Sequence, residues 1–266
     1  MIKITKKNKI FKKRKELNMR VSILVLLAIY ISAAACAGGC TYTFTLPDTN
    51  WPSVVCAAPD VNACNTTTSL KQSPINIDRK TVSYPATTTE TNIETTYTGV
   101  GSLKIKNNSH TQVVTIVDGT ITLDSTIYTI AQYHWHQPAE HTFDGKYYDA
   151  ELHFVHANAA NTTLPYLVIA VYFQIGEENA WLKENSYSSA QAVSASETSL
   201  SGKVDAWGIL ESATSQGVFE YEGSFTTPPC TQGVKFLLTR VAQTMSMAQW
   251  TAFKTSLASY VSMDYT

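Results

Sequence analysis

Charge is scarce in this chain: only 15 % of its 266 residues are Asp, Glu, Lys or Arg, while 44 % are hydrophobic. A disordered chain needs the opposite balance, so there is material here for one sizeable core. Basic residues are scarcer still past the first 20 positions, because nine of the 20 Lys and Arg lie between Lys3 and Arg20. From Gly38 onward there are 11 basic and 20 acidic residues, a net charge of −9, which argues against the basic face of a nucleic-acid binder. A long apolar run is lacking too. The one at Val21–Ile31 falls short of the ~20 residues a membrane-spanning helix needs. No internal repeat is present, and no Pro-, Gly- or Ser-rich linker divides the chain after residue 37, so a single domain is expected.

The basic stretch, the Val21–Ile31 run and the small residues ending at Ala35-Cys36-Ala37 follow the order of a secretory signal peptide. The expectation is a leader over residues 1–37 and a domain over 38–266, exported to the periplasm, the cell surface or the medium, with no stable membrane insertion. A membrane anchor and a lipid-modified Cys36 are the competing readings. The first is weakened by the short run, the second by Ala33 where Leu is expected. The basic segment is unusually long, so Met19 is an alternative start. Removing residues 1–37 leaves Cys40, Cys56, Cys64 and Cys230, an even number that suggests two disulfides with three pairings open. Asn65-Thr-Thr67, Asn107-Asn-Ser109 and Asn161-Thr-Thr163 are acceptor sequons, hence a glycoprotein if the host glycosylates.

Residues 41–70 are polar and turn-rich, and the chain then reads as many short strands. Thr111–Val117 and Thr120–Ile130 are rich in β-branched residues and meet at Asp118-Gly119, a hairpin signal. Leu164–Ile175 is apolar almost throughout, as in a strand buried on both faces, and Gly233–Thr239 is another strand. One helix is expected after Ser246, which caps it with Gln249 completing a capping box. Met247, Trp250, Phe253 and Leu257 form its packing stripe. The fold class is mainly β with a few short helices.

All six histidines lie between His110 and His156. Side chains alternate faces on a strand, so His134 and His136 point one way and Trp135 the other. The same alternation aligns Glu151, His153 and Val155. If the two strands pair antiparallel through the turn at Asp144-Gly145, three imidazoles converge. Three neutral His nitrogens with an open fourth position suit a catalytic zinc site. A lone His-x-His pair is more often two half-buried polar residues, but the third His, with Glu151 placed to orient it, shifts the balance to metal. His141 and His156 fall on the wrong faces for ligation and read as structural, hydrogen-bonded residues.

His134-Trp-His136, Glu140-His-Thr142 and Glu151-Leu-His-Phe-Val155 resemble the zinc-site signature of the α-carbonic anhydrases. Gln72-Ser-Pro-Ile-Asn-Ile77, Asn107-Asn-Ser-His110 and Tyr221-Glu-Gly-Ser-Phe-Thr-Thr-Pro-Pro-Cys230 resemble three further blocks of that family, in its order. The resemblance runs from about Gln72 to Trp250, and the short turn Gln137-Pro-Ala139 is closer to plant, algal and bacterial members than to vertebrate ones. It implies a large, mostly antiparallel central sheet with zinc at the bottom of a cleft, and reversible hydration of carbon dioxide to bicarbonate. It implies zinc on His134, His136 and His153, Gln132 as a partner of the first ligand, and a Thr226–Glu140 pair that orients the nucleophile. An apolar wall of Val155, Val168, Phe225 and Phe236 is implied for the gas, with Thr227 on the bicarbonate side and His110 as proton shuttle. In secreted relatives the Cys after Thr-Thr-Pro-Pro pairs upstream, which implies Cys64–Cys230 and leaves Cys40–Cys56.

Three positions depart from the pattern. Ala139 replaces the usual Ser, Phe225 a commoner Leu and Phe236 a commoner Trp. The family also continues past its last helix into a strand with an Arg-Pro-x-Gln-Pro-like segment, and none is recognised before Thr266. The competing function is a catalytically silent, carbonic-anhydrase-like binding module. Such relatives typically lose zinc ligands, and all three are present here.

Overall fold

Among the described residues of the computed structural model (3–5, 40, 48–56, 62–64, 71–82, 93–95, 103–107, 111–116, 119–158, 160–185, 198–200 and 206–257), strands dominate and three short α-helices accompany them. The main sheet runs β1 (Lys3–Thr5), β13 (Val218–Ser224), β14 (Gln232–Thr239), β11 (Tyr166–Ile175), β10 (Ala150–Ala157), β7 (Thr126–His136), β5 (Gln112–Ile116), β4 (Leu103–Asn107) and β12 (Thr198–Leu200). Off this path, β3 (Ile93–Thr95) and β6 (Thr120–Leu123) extend from β7, and β15 (Gln243–Met245) pairs with β11. A smaller sheet joins β2 (Asn76–Ile77), β8 (Thr142–Phe143) and β9 (Lys146–Tyr147). Pairing in the main sheet is antiparallel except where β11 meets β14 and β15. Strand β1 falls within the stretch read as a leader, so a chain cut after Ala37 would present β13 as the sheet edge.

Period-two alternation separates two apolar layers. Tyr133, Trp135, Leu152, Phe154, Leu167, Ile169, Val171 and Phe173 face one side, where α2 (Ala206–Thr214) adds Ile209 and Leu210. Val155, Val168, Ala170, Tyr172, Tyr221 and Phe236 belong to the other layer, which lies on the histidine side. Both layers meet within β11, whose residues Leu167–Phe173 are buried without interruption, as the apolar run predicts. Helix α3 (Met247–Leu257) locks onto the first layer through Phe253, whose ring lies 4.6 Å from that of Trp135. Its capping box forms as expected, Gln249 N–H donating to Ser246 Oγ at 3.2 Å and Ser246 N–H to Gln249 Oε1 at 3.0 Å. The short α1 (Ala180–Glu184) is capped by Asn179, whose side chain accepts from Leu182 N–H.

Three expectations are corrected. Among the described residues, the strands flanking Asp118-Gly119 do not form the expected hairpin, since β5 pairs with β4 and β7 while β6 pairs with β3 and β7, and Asp118 itself lies outside the described residues. The turn is instead Asp124-Ser125, both at positive φ (48° and 70°), which brings Leu123 opposite Thr126 and splits the run read as one strand. Asp144-Gly145 closes only the small β8–β9 hairpin, inside the connection between β7 and β10. Met247, at the first turn of α3, is exposed rather than part of the packing stripe; the side chain of Leu257 lies outside the described residues.

The buried His156 donates from Nδ1 to Leu167 O at 3.2 Å. Burial, offset only in part by hydrogen bonds to backbone carbonyls, pushes its pKa down to about 4. The unfolded chain, with an ordinary histidine near 6.5, binds more protons between those values. This contribution to stability is therefore present above that window and is lost as pH falls through it. Urea unfolding at several pH values should show the loss, and His156→Gln, which keeps a donor but cannot titrate, should reduce the slope by up to one bound proton. An unchanged slope would remove His156 from the account.

Candidate metal centre

Strands β7 and β10 are antiparallel, in a register that places His134 opposite His153 and His136 opposite Glu151. Alternation then brings three imidazoles to one side of the sheet. Ring centroids lie 4.9 Å apart for His134 and His136, 5.2 Å for His134 and His153, and 4.6 Å for His136 and His153. One nitrogen of each comes within 4.8 Å of the others. A tetrahedral ion with metal–nitrogen bonds of about 2.0–2.1 Å separates its ligands by about 3.4 Å, inside that limit.

Polar neighbours fix which nitrogen each ring offers. His134 Nδ1 lies 2.8 Å from Gln132 Oε1, His136 Nδ1 3.2 Å from Glu140 Oε1, and His153 Nε2 2.6 Å from Glu151 Oε1. The His134 and His153 nitrogens donate to these oxygens, leaving lone pairs on Nε2 of His134 and Nδ1 of His153, while His136 Nδ1 faces the Glu140 carboxylate at ion-pair distance and the nitrogen it leaves over is Nε2. The His136 Nε2 is buried and has no hydrogen-bond partner among the described residues. An orphaned buried nitrogen costs free energy unless something fills the site, and an ion accepting all three lone pairs would do so. Burial, reinforced by His153, lowers His134 to about 3; burial and the two neighbouring imidazoles hold His136 well below its ordinary value. Both rings are thus uncharged at neutral pH, the form that ligates metal.

Glu151 is fully buried on β10. Besides His153, its Oε1 accepts from His141 Nδ1 at 2.7 Å, and its Oε2 accepts the backbone N–H of Glu140 at 2.7 Å and of His141 at 3.0 Å. Burial works to raise its pKa, but His141 and His153 outweigh it and hold the carboxyl well below the usual range. His141, Glu151 and His153 are also close enough to chelate an ion, but their short mutual hydrogen bonds account for the proximity.

Beside the triad, Val155 pairs with Val168 and Val168 with Phe236, forming an apolar row across β10, β11 and β14. The Phe236 ring lies 6.1 Å from that of His153. Phe225 belongs to the same layer and packs at 4.7 Å against Tyr166. The turn after β13 holds Thr226, buried, and Thr227, partly exposed. This turn is tied down by Cys64–Cys230, by Ala63 N–H to Pro229 O at 2.8 Å, and by Phe225 N–H to Thr231 O at 2.9 Å. The second disulfide is Cys40–Cys56. His110 lies outside the described residues. Two features escaped the sequence reading. One is the Glu140 partner of His136, for which the His136-x-x-x-Glu140 spacing is a local signal. Tyr221, which meets His141, and Ser73, which meets Tyr221, carry no such signal because they are distant along the chain.

The family model of the eukaryotic-type carbonic anhydrases matches residues 56–264. A carbonic anhydrase of Klebsiella pneumoniae is 33 % identical over 69 % of this chain and 71 % of its own length. One of Neisseria gonorrhoeae is 29 % identical over 90 % of each chain. Among solved structures, the α-carbonic anhydrase of Photobacterium profundum aligns with a TM-score of 0.64 at 26 % identity, covering 82 % of this chain and 91 % of its own.

Proposed function

Because the chain belongs to the eukaryotic-type carbonic anhydrase family, we propose that it is a zinc enzyme that interconverts carbon dioxide and bicarbonate. The observation that carries this reading is the buried Nε2 of His136, without a hydrogen-bond partner among the described residues and set beside the lone pairs of His134 and His153. When bound, zinc supplies a Lewis acid that makes water nucleophilic near neutral pH. His134, His136 and His153 hold it; Gln132, Glu140 and Glu151 fix their ring orientations through the other nitrogens.

The remaining assignments rest on the resemblance and on physical fit. Thr226 donates its hydroxyl proton to Glu140 and accepts one from the attacking hydroxyl, which aims an oxygen lone pair at carbon. Val155, Val168, Phe225 and Phe236 give a non-polar gas an apolar wall that water gains nothing from wetting. Thr227 lines the side on which bicarbonate forms. Export to an oxidising compartment follows from the leader-like residues 1–37 and fits the two disulfides.

The purified chain should hold about one zinc and hydrate carbon dioxide in a stopped-flow assay. His153→Ala should lose most of the metal and nearly all activity. Full zinc occupancy in that variant would overturn the ligand set, and zinc without hydration would favour the silent binding module.

Regeneration of the nucleophile requires a proton to leave the site, and His110 is assigned that task because an ordinary histidine titrates near neutrality. His110→Ala should lower kcat about tenfold or more while leaving kcat/KM almost unchanged, and imidazole buffer should restore much of the loss. Wild-type kcat in weak buffer, or a parallel fall in kcat/KM, would exclude His110 as the shuttle.

A further inference from the structure

A buried polar chain continues from the candidate metal centre into the layer behind it. His141 Nε2 lies 2.6 Å from Tyr221 Oη, and Tyr221 Oη lies 2.8 Å from Ser73 Oγ. Ser73 and Ser224 then bond reciprocally, Ser224 N–H to Ser73 Oγ at 3.1 Å and Ser73 N–H to Ser224 Oγ at 3.0 Å. Ser224 closes the chain by donating to Phe225 O at 2.9 Å. All five side chains, from Glu151 through His141, Tyr221 and Ser73 to Ser224, are buried.

Tyr221 has one hydroxyl proton and two neighbours, so it donates to one and accepts from the other. Its proton goes to Ser73 Oγ, and its oxygen faces His141 Nε2. His141 donates from Nδ1 to Glu151, which has only acceptors. The same count keeps Glu151 an acceptor toward His153, so His153 carries its proton on Nε2 and offers Nδ1.

Backbone geometry protects the far end. A Cβ on Gly223 would come within 2.1 Å of Ser73 Oγ and 2.9 Å of the Tyr221 ring. Only glycine leaves room for Ser73 to reach both Tyr221 and Ser224. Ser224 ends β13 and leads directly into the turn that carries Thr226.

We propose that Ser73 and Tyr221 are positioning residues of the metal centre, acting through His141 and Glu151 to hold His153 with Nε2 protonated and Nδ1 facing the ion. They thereby couple the turn bearing Thr226 to a metal ligand. This rests on the zinc reading above. Neither residue touches the ion, and neither is a catalytic residue.

The test is zinc release from the loaded protein into a chromogenic chelator. Tyr221→Phe and Ser73→Ala should each release zinc about tenfold faster or more, the range for outer-shell partners of metal ligands. Their double variant should release it little faster than either single one, because both break one chain. Tyr172→Phe is the control. It removes another buried tyrosine hydroxyl on the same side of the sheet, one with no hydrogen-bond partner among the described residues, and should leave release unchanged. In the zinc-free protein, ¹⁵N NMR should report His153 as the Nε2–H tautomer, and as a tautomer mixture in Tyr221→Phe. A wild-type protein that binds no zinc would refute the zinc reading itself. A zinc-binding wild type whose Tyr221→Phe and Ser73→Ala variants release zinc at the wild-type rate, or no faster than Tyr172→Phe, would overturn the relay alone.

Discussion

Glu151 carries a carboxylate into the interior of the sheet with no solvent exposure, and four N–H groups receive it: His153 Nε2, His141 Nδ1 and the backbones of Glu140 and His141. An isolated charge at that depth would cost many kcal/mol, and a protonated carboxyl could not serve all four donors. Satisfying this one group therefore dictates its surroundings. It orients the ring of His153, it seats His141, and it draws in the backbone at Glu140, whose side chain meets His136 at 3.2 Å. A single buried carboxylate thus arranges two of the three imidazoles.

The sheet supplies the rigidity that such a group needs. On β7 and β10 the residues alternating with the histidines are Tyr133, Trp135, Leu152 and Phe154, all fully or almost fully buried in the first apolar layer. Their packing fixes the strands against sliding, and a slip of one residue would send every histidine to the wrong face. On the histidine side, Phe236 stacks on Tyr221 with centroids 5.0 Å apart and an interplanar angle of 10°. That contact packs the apolar row beside the triad directly onto the relay tyrosine. Apolar surface and polar chain are therefore built on the same residues, so the environment of the candidate metal and the orientation of its ligands are set together.

Much of the candidate site is legible in the sequence because its parts are local. His134 and His136 sit two apart on one strand, and Glu151 and His153 two apart on the next, so a period of two is enough to align them. The strand Tyr166–Ile175 and the Ser246 capping box are legible for the same reason. What is lost is whatever depends on distant pairing. Asp118-Gly119 has the better turn chemistry, yet Asp124-Ser125 makes the turn because β6 folds back on β7, and both residues accept positive φ there. Met247 fits the helical period, but at the first turn of α3 it projects past the layer it was expected to cover. Tyr221 meets His141 across 80 residues of chain and Ser73 across 148, and no spacing rule spans such distances.

X-ray absorption at the zinc edge of the purified, zinc-loaded chain tests the central claim most directly. The account predicts three imidazole nitrogens at about 2.0 Å and one oxygen in a four-coordinate shell, with one imidazole lost in His153→Ala. Sulfur in that shell, or a wild-type spectrum with fewer than three imidazoles, would contradict it.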